Sequence, residues 1–296
     1  MPFTNIDTSL VQNYGRNVQM MAQQKGSKLR DKVLIENPTG ERHYFELYNT
    51  NDALATVDTR NADIQYTDTK FERRAVDIVD YDDAKLISKF DTVKMLADPM
   101  SPVVQAQSAQ LGRQIDDIII AGALADMKTG KSGSTTSAAT TAIAINSWAY
   151  GTGSGNSNLT ISKIIELAAA FDDDDVPENE RFLVVDPVNH AKLLATAEAT
   201  SSDFVTNRSL ETGKIEGLVG FDLIVSTRVL TDGSGYKRCF GFQKSGLGLA
   251  INKDVVSDIS ENKTKRGLPY QAYICLSMGA TRLENSKMRE VKCLAT

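Results

Sequence analysis

The stretch Ser101–Met127, SPVVQAQSAQLGRQIDDIIIAGALADM, decides the fold. Pro99 and Pro102 mark its start, and no proline interrupts it afterwards. Val104, Leu111, Ile115, Ile118, Ile119 and Ala123 recur at helical spacing, which places them on one face of an α-helix. Ser101 suits the N-cap, and Pro102 suits the first turn, where its missing N–H costs nothing. About 25 residues at ~1.5 Å rise give a rod of roughly 37 Å, long for a globular helix. Taken alone, such a rod is a core helix. Placed between two strand-rich segments it is a narrower signal, and the rest of the chain gives it meaning.

Upstream, residues 1–30 are polar and rich in Gln, Asn and Ser. Val11, Tyr14, Val18 and Met21 fit only a weak amphipathic helix, so the segment reads as an arm ordered by packing on something else. Asp31–Leu47 reads as a β-hairpin. Val33–Ile35 is one strand, Asn37-Pro38-Thr39-Gly40 is the turn, and His43, Phe45 and Leu47 alternate with Tyr44, Glu46 and Tyr48 in the return strand. Asn49–Ala62, which includes Asn51, is polar and turn-rich, and Asp63–Lys85 is again extended. Ribbons this poor in apolar surface are marginal alone and need a surface to lie on.

Downstream, Thr129–Asn158 is small and polar, with Ile143, Ile145, Trp148 and Tyr150 as anchors. Thr160 caps a helix running to Phe171. Arg181–Val185 is a short buried strand, and Asp186-Pro187 supply the N-cap and first turn of the next helix. Gly213, Gly217 and Gly220 then punctuate the approach to a strand in which Phe221, Leu223 and Val225 alternate. Cys239–Phe242, Leu247–Ile251, Tyr270–Met278 and Met288–Leu294 complete a set of strands.

Composition narrows the function. The chain has 296 residues, 41% hydrophobic and 24% charged, with net charge −5, which argues against tight, counterion-displacing nucleic-acid binding. Three widely spaced cysteines, Cys239, Cys275 and Cys293, form no C-x-x-C and are expected to be small buried thiols in a reducing compartment. There is no signal-peptide pattern at the N-terminus and no apolar run of about 18 residues, so neither secretion by that route nor membrane insertion is expected.

Catalytic patterns are missing. Thr129-Gly130-Lys131-Ser132 imitates the end of a phosphate loop, but Ala125 stands where that loop needs glycine. Asp172–Asp175 lacks the spacing of a cation loop and reads as a solvated run. His43 and His190 accompany no nucleophile elbow or metal-binding pair. His190 is expected on a helix surface, and Asp116 and Asp117 are expected in solvent or at subunit contacts. No catalytic residue, metal or cofactor is assigned.

The order of elements nevertheless resembles the major capsid proteins of tailed bacteriophages, with their Hong-Kong-97-type fold. FERRAVDIVDYDDAKLISKFD (Phe71–Asp91) is similar to the strand and turn that lead into that family's spine helix, and DPMSPVVQAQSAQLGRQID (Asp98–Asp116) is similar to the start of that helix. RFLVVDPVNHAKLL (Arg181–Leu194) and GKIEGLVGFDLIVSTRVL (Gly213–Leu230) are similar to its axial domain, with Gly220-Phe221 the most telling pair. The resemblance implies an α+β chain with an N-terminal arm at 1–30 and an extended loop at 31–70. It implies a peripheral domain at 71–158 containing a spine helix at 101–127. An axial domain follows at 159–230, and 231–296 returns to the peripheral domain. Asn37, Pro38, Gly40, Tyr48, Asn49 and Asn51 would then meet neighbouring subunits. Leu111, Ile115, Ile118 and Ile119 would pack the spine, and Asp186, Pro187, Gly217, Gly220 and Phe221 would shape the axial domain.

The implied role is a self-assembling shell subunit. It would form hexamers and pentamers of an icosahedral or prolate virus head around double-stranded DNA, held without sequence specificity. The implied partners are other copies of the chain, separate scaffold and portal proteins, and an optional decoration protein, with no membrane. Assembly is expected in the host bacterial cytoplasm and residence in the virion. Two alternatives are a nanocompartment (encapsulin-like) shell protein and an α/β hydrolase-like enzyme. The second is disfavoured because its nucleophile turn would carry Asp186-Pro187 and no Ser or Cys.

Overall fold

The computed structural model describes residues 24–49, 66, 70–89, 100–139, 142–195 and 217–295. They divide into two compact units. The smaller comprises the described parts of Met1–Ser27, Asp80–Arg113 and Lys253–Leu276; the larger comprises those of Lys28–Val79, Gln114–Asn252 and Ser277–Thr296.

The long helix α1 spans Met100–Leu124. It starts one residue before the expected Ser101 cap. Pro102 still falls in the first turn, whose N–H groups have no intrahelical acceptor. The helix ends three residues short of the expected Met127, because Met127–Thr129 is strand β5 and pairs with β6, Thr135–Ser137. The Gly130–Gly133 turn that joins them, with positive φ at both glycines, closes a short hairpin within the small, polar stretch.

In the larger unit, β2 (Arg42–Asn49) runs antiparallel to β3 (Lys70–Asp77), which continues to β5 and β6. The hairpin expected at Asp31–Leu47 is therefore corrected. Its first strand, β1 (Leu34–Glu36), leaves β2 and pairs in parallel with β10 (Leu247–Glu261). The turn chemistry at Asn37–Gly40 marks a change of sheet rather than a hairpin. Phe45 points inward and joins Val76, Ala250 and Leu283 in a buried cluster. Glycine permits this closeness: a Cβ on Gly248 would lie 2.7 Å from the Phe45 ring. One on Gly122 of α1 would lie 2.4 Å from the carbonyl oxygen of Ala280, so the helix rests directly on the backbone of β11 (Tyr270–Arg282).

A second sheet in this unit has the order β12-β9-β7-β8, with β7 at Arg181–Val185, β8 at Asp222–Val225, β9 at Lys237–Gln243 and β12 at Met288–Cys293. Every residue of β7 is buried, as its apolar run requires. Helix α2 (Ile161–Asp173) is capped by Thr160, and α3 (Pro187–Leu194) by Asp186, whose Oδ2 accepts the Val188 N–H at 3.2 Å. The core is aromatic. Phe171 and Phe221 lie 5.6 Å apart, as do Phe182 and Phe242, and each fully buried ring contributes ~1.5–3 kcal/mol.

The smaller unit holds the first half of α1, β4 (Val79–Ile87), the distal half of β10 and most of β11. Strands β10, β11 and β4 are sheet neighbours in that order. Gln107 of α1 is buried and donates to Asp83 and to the Ala272 carbonyl, both at 3.2 Å, tying the helix to β4 and β11.

Candidate assembly surfaces

The β2–β3 ribbon presents its outer face to solvent. Register places Tyr48 opposite Phe71, and their rings lie 5.4 Å apart while remaining 54% and 70% exposed. An aromatic pair on an otherwise polar ribbon gains little by facing water. Both residues line a cleft of about 1230 Å³, together with Met127 and Lys131. The charges around the ribbon are largely matched: Arg73 to Glu46 at 2.7 Å, Arg74 to Glu72 at 2.5 Å, and Asp77 held by both Arg42 and Lys128. The hydrogen bond from Lys128, with that from Arg42, draws the Asp77 carboxyl below its ordinary range.

In the smaller unit, all of Lys253–Glu261 is exposed, and Val255, Val256 and Ile259 show apolar side chains to solvent. The tip beyond carries Lys263, Lys265 and Arg266, while the strand carries Asp254, Asp258 and Glu261. Among the described residues, β1 pairs only with residues 248–250 and no strand borders the outer edge of distal β10, which leaves that edge a template for further contact.

The residues anticipated from sequence divide cleanly. Asn37 and Gly40 are exposed on the connection between β1 and β2, and Pro38 is half-buried there. Asn49 ends β2 opposite Lys70, and Asn51 lies outside the described residues. Leu111, Ile115, Ile118 and Ile119 are buried along α1, together with Ile120, which the stripe omitted. Asp186 and Pro187 cap α3 as expected. Gly217 is exposed with open space around it; Gly220 has φ +78° and precedes the fully buried Phe221. Positive φ, not crowding, calls for glycine at position 220.

Three expectations are corrected. Asp116 is fully buried and accepts the backbone N–H groups of Lys28 and Leu29, at 3.0 and 3.1 Å. Asp117 forms a two-point ion pair with Arg228, whose Nε lies 2.8 Å from Oδ1. His190 is buried by its neighbours, which lowers its pKa through desolvation. The acidic run is exposed but partly paired, Asp172 to Arg181 at 2.8 Å and Asp174 to Arg289 at 3.2 Å.

Sequence reasoning also missed Lys163. It is fully buried and donates to the carbonyls of Ile145, Ser157 and Lys292 at 2.9–3.0 Å, fastening the 142–158 segment and β12 to α2. Burial lowers its pKa. The signal was present: a lysine beside Ile164 on the apolar face of α2.

The phage capsid protein family model matches residues 6–295, so the chain belongs to the phage capsid protein family. No curated protein matches it. Among solved structures, the capsid of cyanophage P-SCSP1u aligns with TM-score 0.73 at 13% identity, covering 98% of this chain and 95% of that one. The head of Helicobacter pylori bacteriophage KHP40 aligns with TM-score 0.74 at 10% identity, covering 99% of both. The capsid of Ralstonia phage GP4 gives TM-score 0.71 at 11% identity, covering 100% and 98%. At such identities the likeness establishes the fold. The chain is a major capsid protein, a self-associating structural subunit of the virion shell.

Proposed function

We propose that this subunit forms hexamers and pentamers, and that these close into an icosahedral or prolate head around double-stranded DNA. The observation that carries the reading is the exposed Tyr48–Phe71 pair on a ribbon with little core of its own, a surface that a neighbouring subunit would bury. In this assignment residues 31–70 are the extended loop, 71–158 the peripheral domain, 159–230 the axial domain and 231–296 the return. Asn37, Pro38, Gly40, Tyr48, Asn49 and Asn51 contact neighbours. Shell strength comes from many repeated contacts with apolar centres and polar rims.

A net charge of −5 suits non-specific enclosure, because the packaged DNA carries its own counterions. Scaffold and portal proteins are separate chains, assembly takes place in the host bacterial cytoplasm, and the subunit performs no catalysis. The test is light scattering with negative-stain microscopy on purified protein, with and without the scaffold protein. Rings of five and six subunits, or closed shells, are expected. A closed dimer that persists with scaffold and at high concentration would overturn the reading.

A further inference from the structure

Lys253–Glu261 of β10 is exposed on both faces of the strand. Among the described residues, no strand borders its outer edge. The inner edge is occupied by β11. Just beyond the strand, the Asn262 N–H donates to the Pro269 carbonyl at 2.9 Å, and its side-chain amide donates to Gln271 at 2.8 Å. The strand is thus held from one side to its end, with a row of backbone N–H and C=O groups turned outward. An edge guarded against pairing carries proline, or charge that repels a second copy. KDVVSDISE, residues 253–261, has no proline, and its two ends are Lys253 and Glu261. A second copy running antiparallel therefore brings each end to its opposite charge.

Residues that face each other across an antiparallel pair lie on the same side of the sheet, so self-pairing centres on a residue. Centred on Ser257, the register sets Lys253 opposite Glu261 and Val255 opposite Ile259. Asp254 then faces Ser260, Val256 faces Asp258, and two-fold symmetry repeats each pair. Centred on Val256, the register would set Asp254 against Asp258; centred on Asp258, that carboxylate would face its own copy. Like charges directly opposite are destabilising. The Ser257 register alone matches the end charges, joins apolar to apolar and uses the whole exposed length. Lys89 holds the Glu261 carboxylate at 2.5 Å and leaves it 42% exposed, so a second cation can reach it.

We propose that distal β10 pairs with distal β10 of a second copy, antiparallel about a two-fold axis at Ser257, so that two subunits share one continuous sheet. The inference rests on the head reading above. Neighbours within a ring of five or six meet head to tail, whereas this contact uses the same surface on both subunits. It therefore joins subunits of adjacent rings. Backbone hydrogen bonds supply the attraction, and the Lys253–Glu261 and Val255–Ile259 pairs fix the register.

The test is made in shells assembled with the scaffold protein from Ser257→Cys or Ser260→Cys subunits. In the proposed register position 257 lies about 5 Å from its own copy, while position 260 lies about 20 Å from its copy along the strands. The native cysteines Cys239, Cys275 and Cys293 are buried, so wild type is the blank. Intact shells are oxidised with copper phenanthroline, quenched with N-ethylmaleimide, dissociated and run on a gel without reductant. Ser257→Cys is expected to run mainly as a covalent dimer, with Ser260→Cys and wild type as monomers. Only monomer from Ser257→Cys shells, or equal dimer from Ser260→Cys, overturns the proposal and leaves the head reading intact, since microscopy shows the shells in either case. Failure of wild type to form shells overturns the head reading and this inference with it. Val255→Cys with Ile259→Cys, at facing positions, decides the matter if Ser257→Cys does not assemble.

Discussion

The Asp116 carboxylate accepts the backbone N–H of Leu29 at 3.1 Å across 87 positions of sequence. The same carboxylate takes the neighbouring N–H of Lys28 at 3.0 Å, so one side chain of the long helix pins the chain entering the first strand. Removing it leaves a buried amide without an acceptor. Asp116→Ala should therefore cost about 3 kcal/mol, near the upper end for hydrogen bonds to a charged group. Asp116→Asn keeps one acceptor oxygen and should cost about half as much. Urea unfolding of the dissociated subunit measures both, and equal losses would show that packing, not the hydrogen bonds, holds the contact.

Gly122 and Gly217 make a matched pair. A Cβ at Gly122 would sit 2.4 Å from the Ala280 carbonyl oxygen, whereas one at Gly217 meets nothing within 4 Å. Backbone cannot swing aside as a flexible side chain can. Gly122→Ala should destabilise the subunit by about 1–3 kcal/mol, the usual cost of overpacking, despite alanine's better helix propensity. Gly217→Ala should stay within about 0.5 kcal/mol of wild type. A calorimetric melt of each compares them directly, and a neutral Gly122→Ala would refute the close approach.

His190 predicts a pH response. Burial lowers its folded-state pKa below the ordinary 6.5, so the native protein prefers the neutral ring. Its contribution is full above the unfolded value. As pH falls below 6.5 the unfolded chain takes up a proton that the folded one resists, and stability declines toward the folded-state pKa. Wild type should lose more stability between pH 7.5 and 5.5 than His190→Gln, measured by denaturant midpoints. Parallel slopes for the two proteins would remove His190 as the cause.

What could be read from sequence was local. Apolar periodicity gave α1, and the strand, Asp186-Pro187 and helix followed from capping and proline rules that act within a few residues. Alternation put Phe45 inside and Tyr48 outside. What escaped was long-range pairing. Nothing near Leu34 says that its partner is Gly248 rather than the strand just after the turn. Asp116 and Asp117 look alike in sequence, yet one is buried by a backbone loop and the other is paired with Arg228, because their partners lie far along the chain. Lys163 was legible in principle, since a cation on an apolar face needs acceptors, but only the folded chain names the three carbonyls that supply them.

The assembly surface makes the last prediction. Tyr48 and Phe71 contact each other on an exposed ribbon, so the folded subunit depends on them little: the pair is worth about 0.5–1.5 kcal/mol beyond simple burial. An interface centre is different, because truncating a buried aromatic anchor commonly costs 2 kcal/mol or more per site, roughly thirtyfold in affinity. Tyr48→Ser with Phe71→Ser should therefore leave the melting temperature of the isolated subunit within a few degrees of wild type. The same double variant should raise the concentration needed for shell formation at least tenfold. Light scattering against protein concentration reads the threshold, and circular dichroism reads the fold. Shells that form at the wild-type threshold would mean that this ribbon faces solvent in the head as well, and that the subunit contacts lie elsewhere, with the exposed edge of distal β10 the next surface to alter.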